Sequence, residues 1–240
     1  MVFMMIMKKL ILTFRHKVIN RLKKILEINV LKTIWINLKI SPPHQILKCP
    51  IIIYKHVIFR NLSKGNIILE KPICHGRVHI GRHDLPQLDK KFTRTIIDIK
   101  GDLIFKGDAI IGAGSKIIIY NNAQLILGKH FIITGNTDVI CSNSITFGDY
   151  CLVSWENLIM DTDFHYIYEQ DSDIQINRPA PITIGNNVWI SCRNTILKGC
   201  NIPNNSIIAS NSTISQYLDN ENCIYGNHGR IIKNKIYWKG

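Results

Sequence analysis

The segment Ile159-Met160-Asp161-Thr162-Asp163-Phe164-His165 gathers the side chains of this chain best suited to chemistry. An imidazole titrates near neutral pH, so His165 can take a proton from a hydroxyl and pass it on. Asp161 and Asp163 are close enough in sequence to orient or charge-balance that ring, or to hold the hydroxyls of a substrate. They read equally well as solvated turn acids. A single histidine at a strand end is also a common structural residue, so the surrounding pattern has to decide. A second group, His75, His79 and His83, has the four-residue spacing that would suit a metal on a helix. Gly76, Gly81 and the β-branched neighbours oppose a helix there, and these histidines read as solvated or hydrogen-bonded, with no metal site.

The element that must carry His165 is written as a repeat. Ile184, Ile190, Ile196, Ile202, Ile208 and Ile214 recur every six residues, a period that fits neither a helix at 3.6 nor an isolated strand at 2. Each hexapeptide supplies one short strand and one turn. Three make a triangular coil of about eighteen residues, and successive coils hydrogen-bond at the parallel-strand spacing of about 4.8 Å. Earlier phases of the same beat run through Ile99, Phe105, Ile111, Ile117 and Ala123, then Leu127, Ile133, Val139 and Ile145, then Phe147, Val153 and Ile159. Each change of phase marks a turn that has gained or lost residues. Small residues such as Gly185, Ser191, Ser206 and Ser212 suit the tight corners. His165 stands one step after Ile159, where an inward aliphatic is due, and the polar stretch up to Pro181 reads as a loop extruded from the coil.

The 240 residues can bury a full core, and 47 isoleucines with few aromatics favour stacked strands over a helical bundle. The formal charge of +13 is uneven: residues 1 to 39 carry nine Lys or Arg against one acid, Glu27. No base-stacking aromatics or recognition module accompany that charge, which argues against nucleic acid as a partner. From Phe3 to Leu26, apolar positions recur at helical spacing opposite the basic ones, predicting an amphipathic helix that either lies on an anionic membrane or docks on protein. The opening run MVFMMIM is too short to span a bilayer, and its charges follow it, unlike those of a signal peptide. Seven dispersed cysteines with no CxxC pair suit reduced thiols in a cytoplasmic protein. The expected organisation is a basic helical segment over 1–40, irregular β-rich first coils over 41–95, and a hexapeptide-repeat solenoid over 96–216 with its loop at 166–181. A tail over 217–240 completes it.

At Gly185-Asn186-Asn187-Val188-Trp189-Ile190, Thr195-Ile196-Leu197-Lys198-Gly199 and Asn205-Ser206-Ile207-Ile208-Ala209-Ser210, the chain resembles the hexapeptide-repeat acyltransferases, in particular the sugar O-acetyltransferases. The similarity is clearest from Ile97 to Lys233. It implies an all-β, left-handed parallel β-helix, a homotrimer and acetyl-coenzyme A as acyl donor. His165 matches the family's catalytic histidine. Carried over in the same way, Cys192 and Ser210 line the coenzyme groove, Ser215 lies near its outer part and Trp189 borders the site. Arg230 and Lys233 meet the nucleotide phosphates. Asn136 falls near the acceptor, with Asp161 and Asp163 as further acceptor-binding candidates.

The function expected from residues and resemblance together is transfer of an acetyl group from acetyl-coenzyme A to a sugar hydroxyl, in surface-polysaccharide biosynthesis. His165 acts as general base. The basic N-terminus, residues 1 to 30, would hold a cytoplasmic enzyme at the inner face of the membrane. Two other readings share the fold: a trimeric scaffold without catalysis, and a trimeric zinc carbonic anhydrase. The second needs three converging histidines, and no other histidine lies at a coil or half-coil spacing from His165.

Overall fold

The computed structural model describes residues 15, 25–40, 47–62 and 66–239. The helix expected over Phe3 to Leu26 lies almost wholly outside these residues. Within them the chain winds into a three-faced solenoid of nine, seven and six strands, parallel except for the last of the nine, called here faces 1, 2 and 3 in the order a coil visits them. One coil, for example, runs through Phe131–Ile133 on face 1, Asp138–Cys141 on face 2 and Ser144–Phe147 on face 3. The hexapeptide phases all point inward: Ile99, Phe105, Ile111, Ile133, Ile159, Ile190 and Ile214 are each at most 1% exposed. At roughly 1.5–3 kcal/mol for each fully buried side chain, this dry aliphatic column is the main favourable term of the fold.

The register shows why the phase drifts. Ile196 pairs with Ile214, a step of eighteen residues, as the repeat requires. Higher up, Ile117 pairs with Val139 and Val139 with Ile159, because strands there place two inward residues instead of one. Val139 and Cys141 on one strand are both buried. Between Ile159 and Ile196 the step widens to take in the extruded loop, after which the ladder resumes in register. Coils approach so closely that a Cβ at Gly128 would lie 2.2 Å from the Gly148 carbonyl oxygen, which explains a glycine there.

The corner between faces 1 and 2 is held by a buried polar ladder. Asn157 Oδ1 accepts from the Asn194 N–H at 2.8 Å, and Asn194 Oδ1 accepts from the Ser212 N–H one coil on, at 2.8 Å. Their amide nitrogens donate to the Ser154 and Ser191 carbonyls. Each asparagine thus satisfies backbone groups that the turn leaves without strand partners.

The solenoid begins earlier and ends later than the repeat alone suggests. Ile51–Ile53 already pairs with Val78–Arg82 on face 1. At the other end, Ile224–Tyr225, inside the expected tail, continues face 1 and then meets Ile231–Lys233 in an antiparallel pair. Helix α1, Val30–Ile40, covers the first coil. No helix among the described residues is long and apolar enough to cross a membrane.

All seven cysteines are free, and burial pushes the thiols of Cys141 and Cys151 up to about 12. A thiol reagent at mildly alkaline pH should therefore label at most Cys49, Cys74 and Cys192 in the native protein, and all seven after denaturation. Asn194→Ala strands the Ser212 N–H and Ser191 carbonyl in the corner; it should lower stability by roughly 2–4 kcal/mol, read from the shift of the urea midpoint.

Candidate active site

On face 2 the strand Leu158–Met160 is the last regular element before the chain leaves the coil, returning at Ile182–Ile184 on face 3. The first residue out, Asp161, is fully buried. Its carboxylate accepts from the backbone N–H groups of Ser142 and Asn143 on the preceding coil, at 2.6 and 2.8 Å. That corrects the expectation of an acceptor-binding group: both oxygens are spent on closing the corner above, and none faces solvent. The inward beat stops before His165, since the coil is already broken at Asp161 and His165 is exposed.

His165 stands at the root of the loop. Its carbonyl accepts from Asn177 Nδ2 at 2.7 Å, and the same nitrogen donates to Asp163 Oδ2 at 3.0 Å. Asn177 Oδ1 takes the Ile167 N–H at 2.7 Å, so one buried side chain ties three loop positions together. Lys198, on the next coil, donates to Asp163 Oδ2 and to the Asn177 carbonyl. The hydrogen bond from Lys198 holds the Asp163 carboxyl below its ordinary range. Asp163 therefore anchors the loop to the coil below it. The His165 imidazole makes no hydrogen bond to the described residues, leaving both nitrogens free for a substrate.

Beyond this clasp the loop forms a short hairpin, with Ile176 N–H bonded to the Ile167 carbonyl and Glu169 N–H to the Ile174 carbonyl. Tyr166, Ile167, Tyr168, Ile174 and Ile176 on its arms are all at least half exposed. Asn177 and Lys198 are not legible in the sequence, because a polar residue in a loop and a lysine between two strands carry no local signal of partnership.

The remaining candidates fall elsewhere. Asn136, Cys192 and Ser210 stack at the corner between faces 1 and 2, where Cys192 Sγ lies 3.4 Å from Ser210 Oγ. That corner bounds a groove of about 340 Å³ lined by Lys116, Asn136, Glu156, Asn157, Arg193 and Thr195. Ion pairs Lys116–Asp138 and Arg193–Glu156, at 2.8 and 2.9 Å, bracket it. His165 instead lies past the opposite edge of face 2, a strand of about four residues or ~13 Å away. Ser215 is exposed on the His165 side, two coils on. Trp189 points outward from face 1, its Nε1 bonded to Ser154 Oγ at 3.1 Å and its ring 6.0 Å from that of Trp238. Arg230 and Lys233 are exposed at the last edge of face 1. Within one chain, then, the candidate base and the coenzyme-groove candidates do not converge.

Among the described residues no three His, Cys, Asp or Glu side chains are grouped to hold a metal ion. His79 Nδ1 lies 3.2 Å from the Tyr54 hydroxyl and His75 Nδ1 3.1 Å from the Lys48 carbonyl, so these rings serve separate contacts.

Lys198→Met should cost global stability about 1 kcal/mol, the upper end for a surface pair because this one is half-buried, while releasing the loop. Hydrogen exchange over 163–177 should quicken. Because the Asp163 pKa is depressed, its contribution is present above the ordinary carboxylate pKa and is lost as pH falls through the depressed value. The wild-type loop should accordingly loosen only under acid conditions, and the Lys198→Met loop at neutral pH.

No family model matches the sequence. The chain is 31% identical over 144 residues to an uncharacterized 24.8 kDa protein in the cps region of Klebsiella pneumoniae, covering 60% of this chain and 63% of that one. It is 28% identical over 134 residues to the polysialic acid O-acetyltransferase of Escherichia coli O1:K1 / APEC, covering 55% of this chain and 41% of that one. It therefore matches these curated relatives over less than two thirds of their length. The crystal structure of the polySia-specific acetyltransferase NeuO superposes with a TM-score of 0.53 at 19% identity, covering 77% of this chain and 89% of that one. That likeness is one of fold, the left-handed parallel β-helix.

Proposed function

We propose that this hexapeptide-repeat solenoid, similar in sequence to sugar O-acetyltransferases, transfers an acetyl group from acetyl-coenzyme A to a hydroxyl of a surface polysaccharide or its precursor, at the inner face of the membrane. The observation that carries the reading is the presentation of His165: an exposed imidazole on a loop root clasped by Asn177, Asp163 and Lys198. A general base needs this combination of free nitrogens and fixed position. The base takes the hydroxyl proton as the oxygen attacks the thioester carbonyl. When the tetrahedral intermediate collapses, the C–S bond breaks and the proton passes to the departing thiolate, so ester and free coenzyme A leave together.

The separation of the two corners supports a cyclic homotrimer. The outward row of face 2, Ile118, Ile140, Met160 and Leu197, is apolar and in register, a surface suited to a neighbour. The hairpin arms carry further exposed apolar side chains. Packing by these elements would bring the His165 loop of one chain to the neighbour's corner of Asn136, Cys192 and Ser210. The acceptor and the pantetheine arm would then meet between chains.

The reading is tested by thiol release from acetyl-coenzyme A over a sugar panel. His165→Ala should lower turnover by about 10²–10⁴-fold without changing the fold. Turnover insensitive to His165 removes it as base; a wild-type protein that releases no thiol with any acceptor favours the scaffold reading. Mixed assemblies test the shared site. His165→Ala and Cys192→Trp, each inactive alone, should regain about a quarter of wild-type activity when co-assembled, because one interface in four then has both intact partners. A site confined to one chain predicts no recovery.

A further inference from the structure

Helix α1 is inverted relative to an ordinary surface helix. Such helices bury an apolar stripe and leave polar residues in water. Of the residues α1 buries, two are polar: Thr33 and Asn37, with Ile36 between them. The reason lies in the open edge of Ile51–Ile53, whose backbone groups would otherwise lack partners at the end of the stack. Asn37 Oδ1 accepts the Ile51 N–H at 3.1 Å and Asn37 Nδ2 donates to the Ile51 carbonyl at 2.7 Å. Thr33 Oγ1 accepts the Ile53 N–H at 3.0 Å. The two side chains imitate the missing neighbouring strand.

The consequence is an apolar outer face. Val30, Leu31, Ile34, Trp35 and Leu38 share it and are 59, 81, 46, 43 and 55% exposed. Ile25 and Leu26, just before the helix, are 60 and 67% exposed. A contiguous apolar patch on the end of a molecule is the mark of a contact surface. Charge selects the partner. The helix carries Lys32 and Lys39 and no acid, so two copies meeting end to end would bring like charges together. An anionic bilayer satisfies both features, taking the apolar side chains into its interfacial zone and Lys39 onto its phosphates. Trp35, with Lys39 Nζ 5.3 Å from its ring centroid, is the residue type enriched at that depth.

We infer that the outer face of α1 stands the solenoid end-on upon an anionic membrane, with the coil axis upright. The loop bearing His165 leaves the fifth strand of face 2, four spacings from the first. At about 4.8 Å each, plus the ~10 Å thickness of a helix, the base is held roughly 25–30 Å above the lipid. On the acetyl-transfer reading, the acceptor is then a hydroxyl on chain extending well away from the membrane, not on the sugar nearest the lipid. The standoff rests on that reading; the lipid contact does not.

The test is flotation of the full-length protein with phosphatidylcholine vesicles, with and without phosphatidylglycerol. Wild type should float with the anionic vesicles and not with the neutral ones. Leu31→Glu/Leu38→Glu should reduce its partition at least about tenfold, the loss of ~1.4 kcal/mol, while thiol release with a soluble acceptor is unchanged. Fluorescence quenching by brominated lipid, taken as the difference between wild type and Trp35→Phe, should place Trp35 in the interface and needs no folding-sensitive charge substitution. The inference is overturned if wild type does not float, if the double variant floats like wild type, or if Trp35 is not quenched. A double variant that changes sedimentation in solution but not flotation assigns the face to protein contact instead. None of these outcomes depends on turnover, so an inactive protein that floats would overturn the acetyl-transfer reading alone.

Discussion

Every feature of this molecule answers to one constraint: each coil must lay its strands in register on the coil before it. In-register parallel pairing puts Ile117, Val139, Ile159, Ile196 and Ile214 in one continuous column, and a slip of one residue on any rung would turn an aliphatic to solvent. The corners inherit the demand. Backbones approach too closely for a side chain at Gly128, and turn positions such as Asn187, Asn205 and Asn211 take positive φ, which asparagine tolerates better than most residues. The Asn157 and Asn194 side chains then close the hydrogen bonds that turning leaves open.

Register also explains how a solenoid can carry a functional loop. Extra residues are tolerated at a corner because the cost of closing a loop rises only slowly with its length, provided the strands on either side resume their pairing. Here Ile159 still pairs with Ile196 across the insertion. What a loop gains in reach it loses in definition. The Asp161 carboxylate, bonded to Ser142 and Asn143 of the coil above, and Lys198 on the coil below restore that definition, gripping the loop from both sides. The scaffold thus supplies the rigidity, and the loop only has to present one imidazole.

The ends of the stack are the other place where register has consequences, because a terminal coil has an unpaired edge. The two ends solve this differently. At the last rung an antiparallel return, Ile231–Lys233, pairs with Ile224–Tyr225, and Trp238 folds back to bond the Asn187 carbonyl. At the first rung polar side chains of a helix take the role of a strand, which turns the helix's apolar side outward. An edge-capping requirement has in this way produced an exposed hydrophobic surface.

The six-residue isoleucine beat was enough to specify a triangular parallel stack and its inward column, since periodicity and burial are the same physical fact in a solenoid. The place of the loop was legible too, as the one long polar break in the beat, and His165 beside it. Other properties depended on neighbours distant in sequence. Asp161 and Asp163 look alike two residues apart, yet one is sealed against Ser142 and Asn143 while the other meets Lys198. Asn177 and Lys198 carry no motif. The strands near Ile51 were only loosely legible because their turns are irregular, and the inversion of α1 was hidden because helical spacing alone does not say which side faces the protein. Sequence by itself determined the repeat, the core and the candidate base. Tertiary structure decided which acid braces and which anchors, that the candidate base and the groove occupy opposite edges of one face, and which side of α1 meets the outside, because each of these is set by contacts between coils and not within one.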